Sequence, residues 1–396
     1  MSQRALGILL IVAAFGILGF IAYKNSMRRQ VPIVFSPRNE LLSIWEQYKL
    51  EYLEEGTYRV LDKQKENITT SEGQSYAMLR AVWLDDKDTF DKTWKWTKDN
   101  LQREDNKLFA WLFGKRPDGS YGILTDQGGQ NTATDGDVDI AVALIFASAR
   151  WNQAEYLGDA QAIIDSIWEN EVVYINNKPY LAANNLEKNA PDTMVMNPSY
   201  LAPYAYRIFA TLDEHPWMDL VDTSYEVLNK SLESPLDKET SANIAPDWVF
   251  IDKKTGAILP PNGNNLTSRT SFDALRVPWR IYLDWHWYQE PRALNTLKKM
   301  EFFSKEWREK SLLYTSYEHD GTAALRNQSA AFYGGTLGYF MAVDPEAAKM
   351  IYDTKLQVLF NPDSNTWKVQ LGYYDDNWAW FGIALYNDML PNLAAQ

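Results

Sequence analysis

The sequence predicts an all-α protein, an (α/α)6 double barrel preceded by one N-terminal transmembrane helix. Three observations predict it: a charge-free apolar run near the N-terminus, twelve later segments with apolar residues at helical spacing, and the alternation of those twelve between one-sided and all-round hydrophobicity.

Leu6 to Tyr23 is an 18-residue run without a charge, flanked by Arg4 and Lys24. That length just spans a bilayer as a helix and exceeds a signal-peptide core. No small-x-small cleavage site follows, Phe20-Ile21-Ala22 being a poor match, so residues 1–30 are expected to persist as an anchor with a basic flank. Positive groups lie on both sides, the amino terminus and Arg4 before the run and Lys24, Arg28 and Arg29 after it, and charge alone leaves the orientation open. Residues 31–38, with Pro32 and Pro37, read as a tether, and residues 39–396 as a single domain.

In that domain the segments near 39–53, 86–101, 156–169, 217–232, 291–308 and 345–357 mix charged and apolar residues, as surface helices with one buried stripe do. Segments near 71–84, 137–151, 198–212, 271–285, 327–342 and 376–390 are apolar nearly all round and rich in Ala, Gly and Ser. A helix without a polar face is buried. Alternation of the two kinds predicts six inner helices ringed by six outer ones. If consecutive helices run antiparallel, the inner helices all start at one mouth. Those starts carry Ser71-Glu72, Asp135-Gly136-Asp137, Asn197-Pro198-Ser199, Ser271-Phe272-Asp273, Asn327-Gln328 and Asp375-Asp376-Asn377. Singly, each is ordinary capping, which is the reading for Asp137, Asp375 and Asp376; together they gather carboxylates at one rim. Long connections near 102–136, 170–197 and 233–270 lead into inner helices and offer Trp111, Tyr121, Tyr174, Tyr180, Trp248 and Phe250 as cleft walls. Gly119, Gly122, Gly128 and Gly129 in the first suggest a small hairpin.

Composition narrows the chemistry. With no cysteine, disulfides, thiolate zinc sites and thiol nucleophiles are excluded. His215, His286 and His319 are the only histidines and form no close metal-ligand pair in sequence, so they read as surface or packing residues. The net charge is −13, and −17 beyond residue 30, which disfavours nucleic acid or an acidic polysaccharide as partner. The 16 Trp and 23 Tyr fill cores, but they also suit flat, hydroxyl-rich ligands, which makes sugar the first substrate class to test. Glycosidic cleavage needs one carboxylic acid to protonate the leaving oxygen and one carboxylate to attack or to activate water. Neither G-x-S-x-G nor H-E-x-x-H occurs.

The run Ala133-Thr134-Asp135-Gly136-Asp137-Val138-Asp139-Ile140, continuing to Trp151, resembles the signature of glycoside hydrolase family 8. Thr70-Ser71-Glu72-Gly73-Gln74 resembles the family's acid-bearing segment. Asn197-Pro198-Ser199-Tyr200, Pro246-Asp247-Trp248 and Asp273-Ala274-Leu275-Arg276 follow in family order, and Tyr373-Tyr374 opens the last inner helix as similar tyrosines do in relatives. The resemblance covers Glu40 to Leu390 and implies an inverting hydrolase of a β-1,4-linked extracellular polysaccharide, endo-acting, on an (α/α)6 barrel. It assigns Glu72 as general acid and Asp273 as the base that activates water, with Arg276, counted among the substrate-binding residues, one helical turn on to hold it. Asp135 would grip the sugar at the cleavage point and orient water or distort the ring, although some assignments in the family make it the nucleophile. Trp111 and Tyr200 would be sugar platforms, and Tyr373 and Tyr374 form either a subsite or core. No metal or other cofactor is implied. With its anchor, such an enzyme is expected as a single-pass protein of the cell membrane, its catalytic domain extracytoplasmic, trimming an exopolysaccharide beside a polysaccharide synthase or export complex.

These roles set physical conditions. The helix dipole favours ionised Glu72, so apolar surroundings or nearby negative charge must raise its pKa for it to act as an acid. Asp273, beside Arg276, should stay ionised. One departure is Phe272, where several relatives carry a tyrosine whose hydroxyl can hold the water. Three other readings remain: a chitosanase or other amino-sugar polymer hydrolase, attracted by the negative domain; a non-catalytic glycan-binding subunit of an export complex; and a polysaccharide lyase, disfavoured because it wants positive charge near a uronate.

Overall fold

Thirteen α-helices order the described residues, 36–263 and 266–395, of the computed structural model. They are α1 (Pro37–Tyr52), α2 (Ser71–Leu84), α3 (Lys87–Asn100), α4 (Thr134–Trp151), α5 (Ala154–Glu171), α6 (Pro203–Phe209), α7 (Trp217–Glu233), α8 (Arg276–Tyr288), α9 (Pro291–Lys299), α10 (Phe302–Lys310), α11 (Ala330–Val343), α12 (Pro345–Ile351) and α13 (Tyr373–Tyr386). Glu40–Gln396 form one compact unit. The expected anchor at 1–30 and residues 31–35 of the tether lie outside the described residues. Among those described, no helix is long and apolar enough to cross a membrane.

Six helices, α2, α4, α6, α8, α11 and α13, are buried over most of their length; the rest turn one apolar stripe inward. Small residues let the inner helices touch. A Cβ at Gly334 of α11 would overlap the Trp378 carbonyl of α13, and one at Gly382 would overlap Gly334. Aromatic rings fill the interior: Trp279 lies 5.6 Å from Trp378 and 5.5 Å from Phe381, and Tyr76 meets Phe381 at 5.3 Å. Much of the tryptophan content is therefore core. The last inner helix closes on the first. Arg80 of α2, fully buried, donates to Asp376 (2.9 Å) and Asn377 (3.1 Å) of α13, and its guanidinium lies 4.1 Å from the Tyr48 ring centroid.

Several boundaries differ from the sequence expectation. The third inner segment is a 3-10 turn (Pro198–Tyr200) followed by only seven residues of α6, because Pro203 keeps Ala202 out of helical geometry and forces a fresh helix start. The fourth inner helix starts at Arg276 rather than near 271. Asp247 accepts from the amides of Ser271 (3.0 Å) and Ala274 (2.8 Å), which holds that stretch as a turn. The outer segment 291–308 is two helices broken at Met300 and Glu301, and the helix expected to 357 leaves α-geometry after Ile351. Pro37 and Arg38, expected in the tether, open α1, where a missing N–H costs nothing. Asp376 is Arg80's partner rather than a cap, and Asp375 caps a neighbour, accepting the Ala331 amide at the start of α11 (2.8 Å). The chain is not purely helical: its long connections carry short antiparallel strands. Among them β1 (Thr69–Thr70), β2 (Leu112–Lys115) and β3 (Tyr121–Ile123) form one sheet, whose β2–β3 hairpin turns through Gly119 at φ +87°.

Removing one partner of a buried ion pair strands the other. Asp376→Ala is therefore expected to destabilise the protein by about 3–5 kcal/mol, and the combined Arg80→Met, Asp376→Leu variant to regain part of that, both read from urea midpoints.

Candidate active site

Two glycines bring the inner helix starts together. A Cβ at Gly136 would lie 2.6 Å from Ser71 Oγ, so only glycine lets the first turn of α4 rest on that of α2; a Cβ at Gly73 would lie 2.5 Å from the Tyr373 hydroxyl. The starts of α2, α4 and α13 therefore converge. Thr70 Oγ1 caps α2 by accepting the Gly73 amide (3.0 Å), and the Ser71 amide donates to the Trp111 carbonyl (3.1 Å), tying the acid-bearing turn to the first long connection. The result is a cleft of about 610 Å³ lined by Glu72, Asp135, Asp273, Trp111, Tyr200, Tyr373 and Tyr374, with Phe272, Asp62, Lys65 and Asp375 among its other walls.

Arg276 lies beneath the floor, its side chain 0% exposed. Its Nη1 donates to Glu72 Oε2 (2.6 Å) and Asp135 Oδ2 (2.6 Å), and its Nη2 to Asp273 Oδ1 (2.6 Å). Its Nε donates to the Asp273 carbonyl (3.2 Å), and the Tyr200 ring centroid is 5.2 Å from the guanidinium. This corrects the expectation that Arg276 meets substrate: every donor face is taken by carboxylates, carbonyl or phenol, so it positions three acids from below. The nearest oxygens of Glu72 and Asp273 are thus separated by no more than one guanidinium and two hydrogen bonds. Four residues along α8, Arg280 pairs with Asp139 (2.7 and 2.8 Å), four along α4 from Asp135. The two helices form a two-rung ladder of buried ion pairs.

Exposure separates the acids. The Glu72 and Asp273 side chains keep 23% and 32% of their surface open, and Asp135 only 2%. Burial raises the Glu72 carboxyl to about 7; Arg276 opposes this, while Asp135 and Asp273 add to it. Glu72 can thus be protonated in neutral solution despite its ion pair. Asp273 is not a helix cap but sits in the turn before α8. That turn is held by Asp247, a residue whose role sequence spacing did not signal because it lies 26 positions away with no helical relation. The Asp247 carboxyl is raised to about 7, by burial first and by Asp273 second.

The tyrosines divide. The Tyr374 hydroxyl donates to the Phe272 carbonyl (2.5 Å), and the Phe272 ring, 41% exposed, meets the Tyr374 ring edge-on at 5.9 Å. The Tyr373 hydroxyl is buried and unpartnered among the described residues. Trp111 is fixed by Nε1 donating to the Gly128 carbonyl (3.0 Å). Of the other expected walls, Trp248 backs Tyr200 edge-on at 5.9 Å. Tyr121, Tyr174, Tyr180 and Phe250 are not among the cleft's lining residues: Tyr121 stands over Arg59, Tyr174 beside Trp168, Tyr180 is buried in the strand Lys178–Leu181 and Phe250 sits in the strand Val249–Asp252. They sit on the short strands that decorate the connections, outside the cleft's lining. One group among the described residues has acidic and imidazole atoms close enough to meet a cation, Asp165, Asp213 and His215, and it is outside this lining. His215 there is bonded to Asp213 (2.7 Å) and stacked on Trp168 (5.1 Å), a packing role.

A family model described as Glycosyl hydrolases family 8 matches residues 26–373. An endoglucanase of Cellulomonas uda is 31% identical over 255 residues, 64% of this chain and 66% of that protein. An endoglucanase of Escherichia coli (strain K12) is 32% identical over 268 residues, 66% of this chain and 68% of that protein. These matches span about two thirds of each relative's length. In three dimensions the endo-1,4-D-glucanase from Vibrio fischeri ES114 aligns with a TM-score of 0.70 at 25% identity, covering 87% of this chain and 94% of that one.

A carboxyl whose folded pKa is raised binds its proton more tightly than in the unfolded chain, so stability falls as pH rises from the unfolded value, about 4.5, through about 7. Glu72→Gln escapes that loss. It is expected to melt with wild type at about pH 4 and above it at about pH 8, as a site strained for function should.

Proposed function

The chain belongs to the glycosyl hydrolases of family 8, which makes it a glycoside hydrolase, and we propose that it cleaves a β-1,4-linked glucan within the chain and with inversion. The observation that carries this reading is the three-acid clamp: one buried guanidinium holds Glu72 and Asp273 at the open floor of an aromatic-walled cleft, with Glu72 raised to about 7. In the reaction Glu72 gives its proton to the glycosidic oxygen as the C–O bond breaks. Asp273 takes a proton from the water whose oxygen bonds to the anomeric carbon. Arg276 then stabilises the Glu72 carboxylate left behind. Asp135, more deeply set, grips the sugar at the cleavage point, and Trp111, Tyr200, Tyr373 and Tyr374 carry neighbouring sugars. Phe272 leaves the nucleophilic water without the phenol that relatives place there, so Asp273 holds it without that donor.

The expected anchor extends the proposal: a single-pass membrane protein, its catalytic domain outside the cytoplasm, trims an exopolysaccharide as a synthase or export complex delivers it. Membrane fractionation of the full chain tests this, and recovery in the soluble fraction would remove it. A second reading, hydrolysis of a cationic amino-sugar polymer, is favoured by the cleft's own charge. Asp62 and Asp375 join the three clamped acids, and Lys65 is the one cation among the lining residues.

Glu72→Gln and Asp273→Asn are each expected to lower kcat by about 10²–10⁴-fold while remaining folded, and wild type to release product of inverted anomeric configuration by NMR. Retained configuration would refute the role of Asp273. Raising salt should leave glucan cleavage nearly unchanged but depress cleavage of chitosan, because screening acts only on the charged substrate.

A further inference from the structure

Behind Asp135, on the side away from the cleft, lie two carboxyl groups that the reaction does not use. Asp137, in the first turn of α4, and Glu171, at the end of α5, are both fully buried. Asp137 Oδ1 accepts the Phe109 amide (2.9 Å), and Glu171 Oε1 accepts the Thr132 hydroxyl. Their other oxygens, Asp137 Oδ2 and Glu171 Oε2, have no donor although the two groups are within hydrogen-bonding reach of each other. Two ionised carboxylates cannot bond to each other, because each only accepts. Among the described residues no cation pairs with either carboxyl; the other titratable groups that act on the pair are Asp135, on α4 itself, and Tyr206, on α6. Two bare anions in contact in such a site would carry a desolvation and repulsion cost that protonation removes.

We propose that Asp137 and Glu171 share a single proton, and that this acid pair is a positioning element that fixes the wall of the cleft bearing Asp135 and Trp111. One hydrogen sits on an oxygen of one carboxyl and is donated to the other; at higher pH it passes to solvent and leaves two anions face to face. The contacts show what the pair stitches together. Through Phe109 it holds the connection that carries Trp111. Through Thr132, which accepts the Asn185 amide (2.9 Å), it holds the irregular stretch leading into α4, and Thr134 Oγ1 donates to the Ala182 carbonyl (2.8 Å) beside it. The Ala182 amide returns to the Glu171 carbonyl (2.9 Å). Three segments distant in sequence thus meet at one proton. Burial raises Glu171 to about 7 against the hydrogen bonds of Thr132, Thr134 and Asp137, and burial together with the charge of Glu171 raises Asp137 well above the carboxylate range, so the proton is retained in neutral solution.

The effect on catalysis rests on the hydrolase reading, whereas the shared proton does not, and the test separates them. In Glu171→Gln the amide donates permanently to Asp137 and no titrating proton is needed. Wild type should lose stability more steeply than Glu171→Gln between about pH 5 and about pH 8, with a difference of about 3 °C or more in the change of Tm. Infrared difference spectra at about pH 6 should show one protonated carboxyl fewer in the variant, since an unperturbed carboxyl is ionised there. Glu171→Leu, which strands Asp137, should lower kcat by about tenfold or more with KM little changed, and Glu171→Gln should recover most of it, as expected when an interaction realised in the transition state depends on a fixed wall. Equal pH slopes, an unchanged carboxyl count, or Gln and Leu variants of equal activity would overturn the proposal. Should wild type cleave no glycan, the hydrolase reading fails while the stability and infrared results still decide the proton.

Discussion

The site depends on one buried guanidinium. Arg276 is fully enclosed, and a charge so placed persists only when its hydrogen bonds are satisfied. Glu72, Asp135 and Asp273, from three inner helix starts far apart in sequence, satisfy them. The dependence runs both ways. Without Arg276 three acids at one rim would repel, and without the acids the arginine would be an uncompensated charge in an aromatic core. The second rung, Arg280 with Asp139, locks α8 to α4 so that the first rung keeps its register. The proposed catalytic geometry and the packing of the inner helices share the same ion pairs, with Glu72 and Asp135 in first helical turns and Asp273 in the turn before α8.

That arrangement also resolves a conflict between electrostatics and chemistry. An ion pair with arginine lowers a carboxyl's pKa, yet the proposed acid must hold a proton. Burial outweighs the arginine at Glu72, and the two neighbouring acids tip it further. Once the proton is given up, the same arginine stabilises the anion. A charge that would handicap the resting acid thus assists its departure from the protonated state.

The alternation of one-sided and all-round hydrophobic segments read out the two rings, because burial of a whole helix leaves a signature in every turn. The charged starts could be placed at one mouth from chain direction alone. What was not legible follows from contacts between residues with no periodic relation. Asp247 reshapes the entry to α8 through two amides 24 and 27 residues away, and Pro203 sets a late start for α6. Arg276 looked like an i,i+3 partner of Asp273 and is that, but its burial beneath three acids is a tertiary fact. The aromatic residues misled most. A Tyr on a connection looks the same in sequence whether it lines the cleft or, as for Tyr121, packs against a residue outside that lining. The i,i+4 spacing of Asp135 with Asp139 and of Arg276 with Arg280 was present in the sequence as a matching pair of faces, a signal only pairwise comparison of helices would reveal.

The closure of the ring has a further consequence for biogenesis. Arg80 finds its partner 296 residues later, and the Trp380 indole reaches back 339 positions to the Leu41 carbonyl. Contacts of such span make a chain slow to fold and leave its early portions incomplete until the end arrives. Emerging N-terminus first from a ribosome or a translocation pore, the protein would expose greasy, Ala- and Gly-rich helices for most of its synthesis. The final two dozen residues act as the keystone: a nascent chain stopped short of them would be a substrate for chaperones and proteases, not a smaller working enzyme.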